Sequence, residues 1–187
     1  VERTRTIKDS AVLAALAHPL RRRLMDVLRV YGPSTVSTLA ERTGQAVGNV
    51  SHHLKVLGAS DLIEEAPELA HNRRERWYRL VSSGLRWSSR DFQGDPASAA
   101  LADTIQAMNL DQHVSLARNW LAKPEEEKGE WGDVTFVSDK WIRLTPQELG
   151  QIGEEIAALL SRWSDRPDDG QEREPVLVFA YGMPGQP

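Results

Sequence analysis

The sequence predicts a mainly α-helical chain with a small β component, built in two parts of unlike charge. Apolar residues recur at helical spacing through the first 60 residues. The period then changes to strand-like runs at residues 62–65 and 76–80. The charge also reverses: residues 1–90 hold 15 Lys+Arg against 9 Asp+Glu, and residues 91–187 hold 8 against 18. Such asymmetry points to one half meeting a polyanion, with the acidic half kept away from it. At 187 residues, 40% apolar and 27% charged, the chain is globular in composition and long enough to bury a core unaided. It contains no Cys, which excludes disulfides, thiolate metal sites and Cys nucleophiles together. The longest apolar run, residues 11–17, is far shorter than the roughly 20 residues needed to span a bilayer. Acidic Glu2 stands among the first basic residues, with no apolar segment of signal form, so a cytoplasmic protein with no membrane partner is expected.

Each element has its own local signal. Val12, Leu13 and Leu16 share one side of a first helix. Pro19 suits the first turn of a second, where its missing N–H is not needed. Leu20, Leu24, Val27, Leu28 and Tyr31 continue that helix until Gly32-Pro33 stops it. Val36, Leu39 and Ala40 mark a short third helix ending near Gly44, and Val47, Val50, Leu54 and Leu57 define the buried stripe of a fourth. Leu62–Glu65 and Arg76–Leu80 read as two strands around a polar tip containing Pro67 and Asn72. Residues 83–96, with Ser88-Ser89, Gly94 and Pro96, read as a linker. A helix over about 97–122 has apolar residues on two sides, so it either kinks near Asn109 or lies between two partners. Glu125–Lys128 reads as a solvated turn and 133–144 as extended chain. Thr145-Pro146-Gln147-Glu148 is a capping box that starts a last amphipathic helix, and Pro175–Tyr181 reads as a final strand.

Two short helices joined by a tight turn, the second followed by a hairpin, make a winged helix-turn-helix over residues 1–82. The remainder, 97–187, reads as a small acidic, Trp-rich α+β domain for dimerisation and effector binding. Burial of the fourth helix's stripe leaves Gly48, Asn49, Ser51, His52 and Lys55 outward, and Val47 opens the same end of the helix. A DNA major groove about 12 Å wide admits such a helix. Asn bonds adenine bidentately, Ser bonds several bases, Gly48 allows close approach, and Lys55 is placed for phosphate. Arg73, Arg74 and Arg76 at the wing tip are expected to grip the backbone or enter the minor groove. Neighbours in a helix point about 100° apart, so His52 and His53 do not clasp one metal. His52 is read as groove-facing and His53 as packed or capping. Arg21-Arg22-Arg23 suits either phosphate contact or pairing with acids such as Asp26. No cofactor or metal site is expected.

The stretches Leu16–Leu24, Leu39–Gly44 and Val50–Leu57, with the closing Leu62-Ile63-Glu64-Glu65, resemble the ArsR-type winged-helix repressors over about 70 residues. The wing Asn72–Arg79 and the stretch Trp141–Leu149 resemble a two-domain subgroup of that family. The resemblance implies a homodimeric regulator of double-stranded DNA, with the fourth helix as reader. Where family members carry a polar Ser-Gln-Ser start to that helix, this chain has Ala46-Val47-Gly48. That shifts readout toward Asn49, Ser51, His52 and DNA shape. Asp111-x-His113 matches half of a family metal-ligand pattern, but Pro124 stands where the next His belongs, so His113 reads as surface or interface.

Dimerisation through the 97–122 helix and the first helix is the leading role for the acidic half, because one reading helix contacts few base pairs. Trp120, Trp131, Trp141 and Trp163 offer two alternatives, a small-molecule effector pocket or the core of a small domain. A winged helix used only as a protein-interaction scaffold is the further alternative. For an enzyme, the sequence shows no phosphate loop, no Gly-x-Ser-x-Gly, no His-Glu-x-x-His and no dinucleotide fingerprint.

Overall fold

The computed structural model describes residues 2–72, 75–92 and 94–186. The chain forms two compact units, residues 1–114 and 115–187.

The first unit opens with β1 (Glu2–Thr6), followed by α1 (Ser10–Leu16) and α2 (Pro19–Tyr31). Asp9 caps α1 by accepting the Ala11 N–H at 2.8 Å, and His18 caps α2 by accepting the Leu20 N–H on Nδ1 at 3.1 Å. Pro19 takes the first position of α2, and Gly32 ends the helix at φ 75°, a left-handed conformation that favours glycine. A short strand β2 (Ser34–Thr35) leads into α3 (Val36–Thr43), capped by Thr35 and closed by Gly44 at φ 66°. After a tight turn comes α4 (Val47–Ala59), then the wing strands β3 (Ile63–Glu65) and β4 (Trp77–Leu80). β4 is central in an antiparallel sheet of order β2-β4-β3, with Glu64 opposite Arg79 and Thr35 opposite Trp77.

The segment expected as a linker is folded instead. β5 (Ser82–Arg86) pairs in parallel with β1, Ile7 donates its N–H to the Arg86 carbonyl at 2.8 Å, and Phe92 on a following 3-10 turn is buried. Its Ser and Gly content marked turns, but the ladder partner lies some 80 residues earlier, where local composition gives no sign of it. α5 (Pro96–Leu121) is one continuous helix, and Ala102 and Ile105 on its first half join the core of the first unit. That core collects Leu13, Leu24, Leu39, Val50, Leu54, Leu57 and Leu62, all essentially inaccessible.

The second unit contains α6 (Glu125–Lys128), α7 (Glu130–Val134) and α8 (Pro146–Ser164). Residues 125–128, expected as a turn, therefore make a single helical turn, with Lys128 bonded to Glu125 at 2.6 Å. The capping box of α8 is complete: Thr145 accepts the Glu148 N–H, and Glu148 accepts the Thr145 N–H at 2.7 Å. The final strand over 175–181 is not formed. That chain has apolar, β-branched composition but no ladder partner, and no described residue of this unit lies in a strand. Phe136, Val137 and Trp141 stand 72, 86 and 67% exposed.

Candidate nucleic-acid interface

α4 is held from below. Val50, His53, Leu54 and Leu57 are buried, and full burial of each of the three aliphatic side chains stabilises by about 1.5–3 kcal/mol. That outweighs the missing side-chain cap at Ala46, a deficit of about 1 kcal/mol. The uncapped first-turn N–H groups put the positive end of the helix dipole beside the exposed residues Val47, Gly48 and Asn49. His52 and Lys55 are also exposed, and Ser51 is half-buried.

Val47 departs from the buried stripe in which the sequence put it, at 50% exposed. It is the first residue of the helix, about one turn before Val50, and His53 joins the buried side instead. The His53 ring packs 4.3 Å from the His18 ring, centroid to centroid, and 5.3 Å from that of His52. Burial first, then the charges of His18, Arg21 and His52, lower the pKa of His53 from its ordinary value.

Asn49 Nδ2 donates to Gln45 Oε1 at 3.0 Å, so the amide expected to read adenine already has an exposed partner one turn earlier. Gln45 was not among the sequence-derived site residues, although Gln and Asn four apart are a pairing signal. Arg21 and Arg22 are used inside the fold. Arg21 donates to the Ala14 carbonyl at 3.0 Å and also to that of Ala15, closing the end of α1. Arg22 donates to Asn109 Oδ1 on α5 at 2.9 Å. Asp26 pairs with Arg29 at 2.7 Å and accepts from Gln112, so the pairing expected between Asp26 and the arginine triplet goes to Arg29.

On the wing, Arg79 bonds Glu64 at 2.7 Å and also Glu68, so its charge is engaged within the fold. Arg76 stays exposed near the tip, 3.9 Å from Glu65. Arg73 and Arg74, named from the sequence as backbone grips, lie outside the described residues. The tip contains a residue that the sequence reading passed over. Glu75 accepts the His71 N–H at 3.1 Å, the Asn72 side-chain amide at 2.7 Å and the Trp77 indole N–H at 3.3 Å. The spacing Asn72-x-x-Glu75 was its visible signal.

The Trp residues of the second unit stand apart from its described groove. The groove lies on α8 and is lined by Ile152, Glu155, Ile156, Ala158, Leu159 and Arg162. Trp120 meets Lys123, Trp163 meets Arg166, and Trp141 lies against Gly185. No helix among the described residues is long and apolar enough to cross a membrane.

Three helices, a tight turn between α3 and α4, and a two-stranded wing define a winged helix-turn-helix domain. Residues 16–66 match the family model of a helix-turn-helix domain. Among solved structures, the chain is similar to a homodimeric winged helix-turn-helix DNA-binding domain from Mycobacterium bovis, described as a possible ArsR-family regulator. The identity is 23% over 57% of this chain and 82% of that one, with a TM-score of 0.36. It is similar to NolR from Sinorhizobium fredii at 28% identity over 38% of this chain and 67% of that one, TM-score 0.34. It is also similar to a mutant MarR from E. coli complexed with operator DNA, at 15% identity over 82% and 85% of the two chains, TM-score 0.36. A search of curated protein sequences returned no match.

Proposed function

We propose that this chain is a sequence-specific transcriptional regulator of the ArsR type, acting as a homodimeric repressor on an inverted-repeat operator. One observation carries the reading: α4 buries Val50, His53, Leu54 and Leu57 while leaving Val47, Gly48, Asn49, His52 and Lys55 exposed, and its N-terminal end has no side-chain cap. Such a helix enters a major groove, where Asn49, Ser51 and His52 meet base edges and Lys55 meets phosphate. Arg76 at the wing, with Arg73 and Arg74 beside it in sequence, adds cationic contact to the flanking backbone. Two-fold pairing presents two such helices about one helical turn apart. The exposed apolar side chains of the second unit, among them Trp131, Val134 and Ile142, support a role for that unit in pairing.

Selection of bound duplexes from a random pool, with and without cell metabolites, tests operator reading and effector response together. Enrichment of an imperfect inverted repeat is expected. Retention on duplex DNA that does not weaken with salt, or no retention at all, favours a protein-interaction scaffold instead.

A further inference from the structure

Gln45 and Asn49 form one exposed pair at the turn between α3 and α4. Gly44 closes α3 in the left-handed conformation, and the Gln45 N–H donates back to the Ala40 carbonyl at 3.0 Å. The backbone of Gln45 is therefore fixed by the end of α3, while Asn49 stands in the first turn of α4. Their side chains meet beside the uncapped helix start, where Asn49 Nδ2 donates to Gln45 Oε1 at 3.0 Å. An exposed amide pair of this kind adds little to stability. Its effect is on freedom of rotation: an amide that turns by 180° exchanges donor for acceptor, and one held by a partner does not. Asn carries two amide protons, so the bond to Gln45 leaves one N–H together with Oδ1. Those are the two groups that adenine N7 and N6 require. Among the described residues, neither Asn49 Oδ1 nor Gln45 Nε2 has a hydrogen-bond partner.

We propose that Gln45 is a positioning residue that sets base specificity: it holds the Asn49 amide in the orientation that reads adenine. The proposal rests on the duplex-binding reading above and extends the reading surface back into the turn. The opposite role predicts the opposite sign. A Gln45 that merely occupies Asn49 has to be displaced on binding, and Q45A then sharpens base preference. A Gln45 that orients Asn49 makes Q45A blunt that preference.

The test selects bound duplexes from a random pool with the full chain, as the unaltered protein, Q45A, Q45E, N49A and Q45A/N49A. N49A is expected to lose preference at one position of each half-site, by about fivefold or more. Q45A is expected to lose a comparable share at that same position and nowhere else, and the double variant no more than N49A alone. Gln is neutral, so the salt slope of binding should be the same with and without it, whereas a damaged fold would weaken every duplex. Q45E keeps an acceptor for Asn49 but adds a negative charge, so it is expected to bind all duplexes more weakly while retaining the preference at that position. In the free protein, the side-chain amide resonances of Asn49 are expected to shift in Q45A. Unchanged resonances would overturn the proposal, as would unchanged or sharper preference in Q45A, losses spread over other positions, or additive losses in the double variant. If the unaltered protein enriches no sequence, the duplex reading itself falls; enrichment that Q45A leaves untouched removes only the role of Gln45.

Discussion

Gly48 stands in the first turn of α4, where an added Cβ would meet nothing within 4 Å and no positive φ requires glycine. The fold therefore makes no demand for it, and Gly48→Ala is expected to raise stability by up to about 1 kcal/mol. If the backbone there approaches a base pair or phosphate closely, the same change weakens operator binding. Paired urea melts and titrations would reveal that divergence, and a gain in both would count against close approach. Asn49→Ala and His52→Ala are expected to reduce discrimination between operator and random DNA by about 1–3 kcal/mol, whereas Lys55→Ala should weaken both and lower the salt slope by about one. Equal losses on the two DNAs from all three would contradict the division of roles. His53 adds a pH dependence. Its pKa is lowered in the folded protein, chiefly by burial, while the unfolded chain takes up that proton near pH 6.5. Between the two values the unfolded state binds more protons, so this contribution to stability is complete above about pH 6.5 and is lost as pH falls through the folded value. Urea midpoints should fall from about pH 7.5 to about pH 5.5, and His53→Gln should flatten that slope.

The helix-turn-helix owes its rigidity to a few fully buried side chains, and Leu54→Ala on α4 is expected to cost about 2–5 kcal/mol in thermal unfolding. α8 is supported differently. It has no buried residue, so its terminal signals matter more, and Thr145→Ala should lower the far-UV helix signal without moving the main unfolding transition. This contrast also explains which elements were legible in the sequence. Pro19 and Gly32 bound α2, and Thr145 and Glu148 start α8, because those signals act within one turn of chain. β1, β2 and β5 were missed because each is defined by a partner: β5 for Glu2–Thr6, and Tyr78 and Trp77 for Ser34 and Thr35. The converse error occurred at 175–181, where strand-forming residues have no ladder. The outward row of α4 followed from helical period alone. The exposure of Val47 at the helix end and the hydrogen bonds of Glu75 depend on what stands around each in the fold, which a period does not record.

At the scale of the whole chain, the charge contrast depends on where the division falls. Residues 1–114 hold 15 Lys+Arg against 13 Asp+Glu, and residues 115–187 hold 8 against 14. Asp91, Asp95, Asp103 and Asp111 belong to the first unit, and Asp95 accepts from Ala97 and Ser98 at the start of α5. In the proposed reading, attraction to DNA therefore rests on exposed cations such as Lys55 and Arg76 more than on net charge. Light scattering at micromolar concentration should return twice the monomer mass, and a monomer would count against two-fold pairing. One contact at the end of α4 opposite Val47 has a practical result. Arg5 on β1 donates to the Asp61 carbonyl at 2.5 Å and the Ser60 carbonyl at 3.4 Å, bracing the C-terminal end of α4 from the start of the chain. A load placed on β1, such as a bulky fusion close to it, would act on the strand that braces α4, and any unzipping there would masquerade as a defect in the proposed operator binding; affinity measurements belong on protein free of such a fusion.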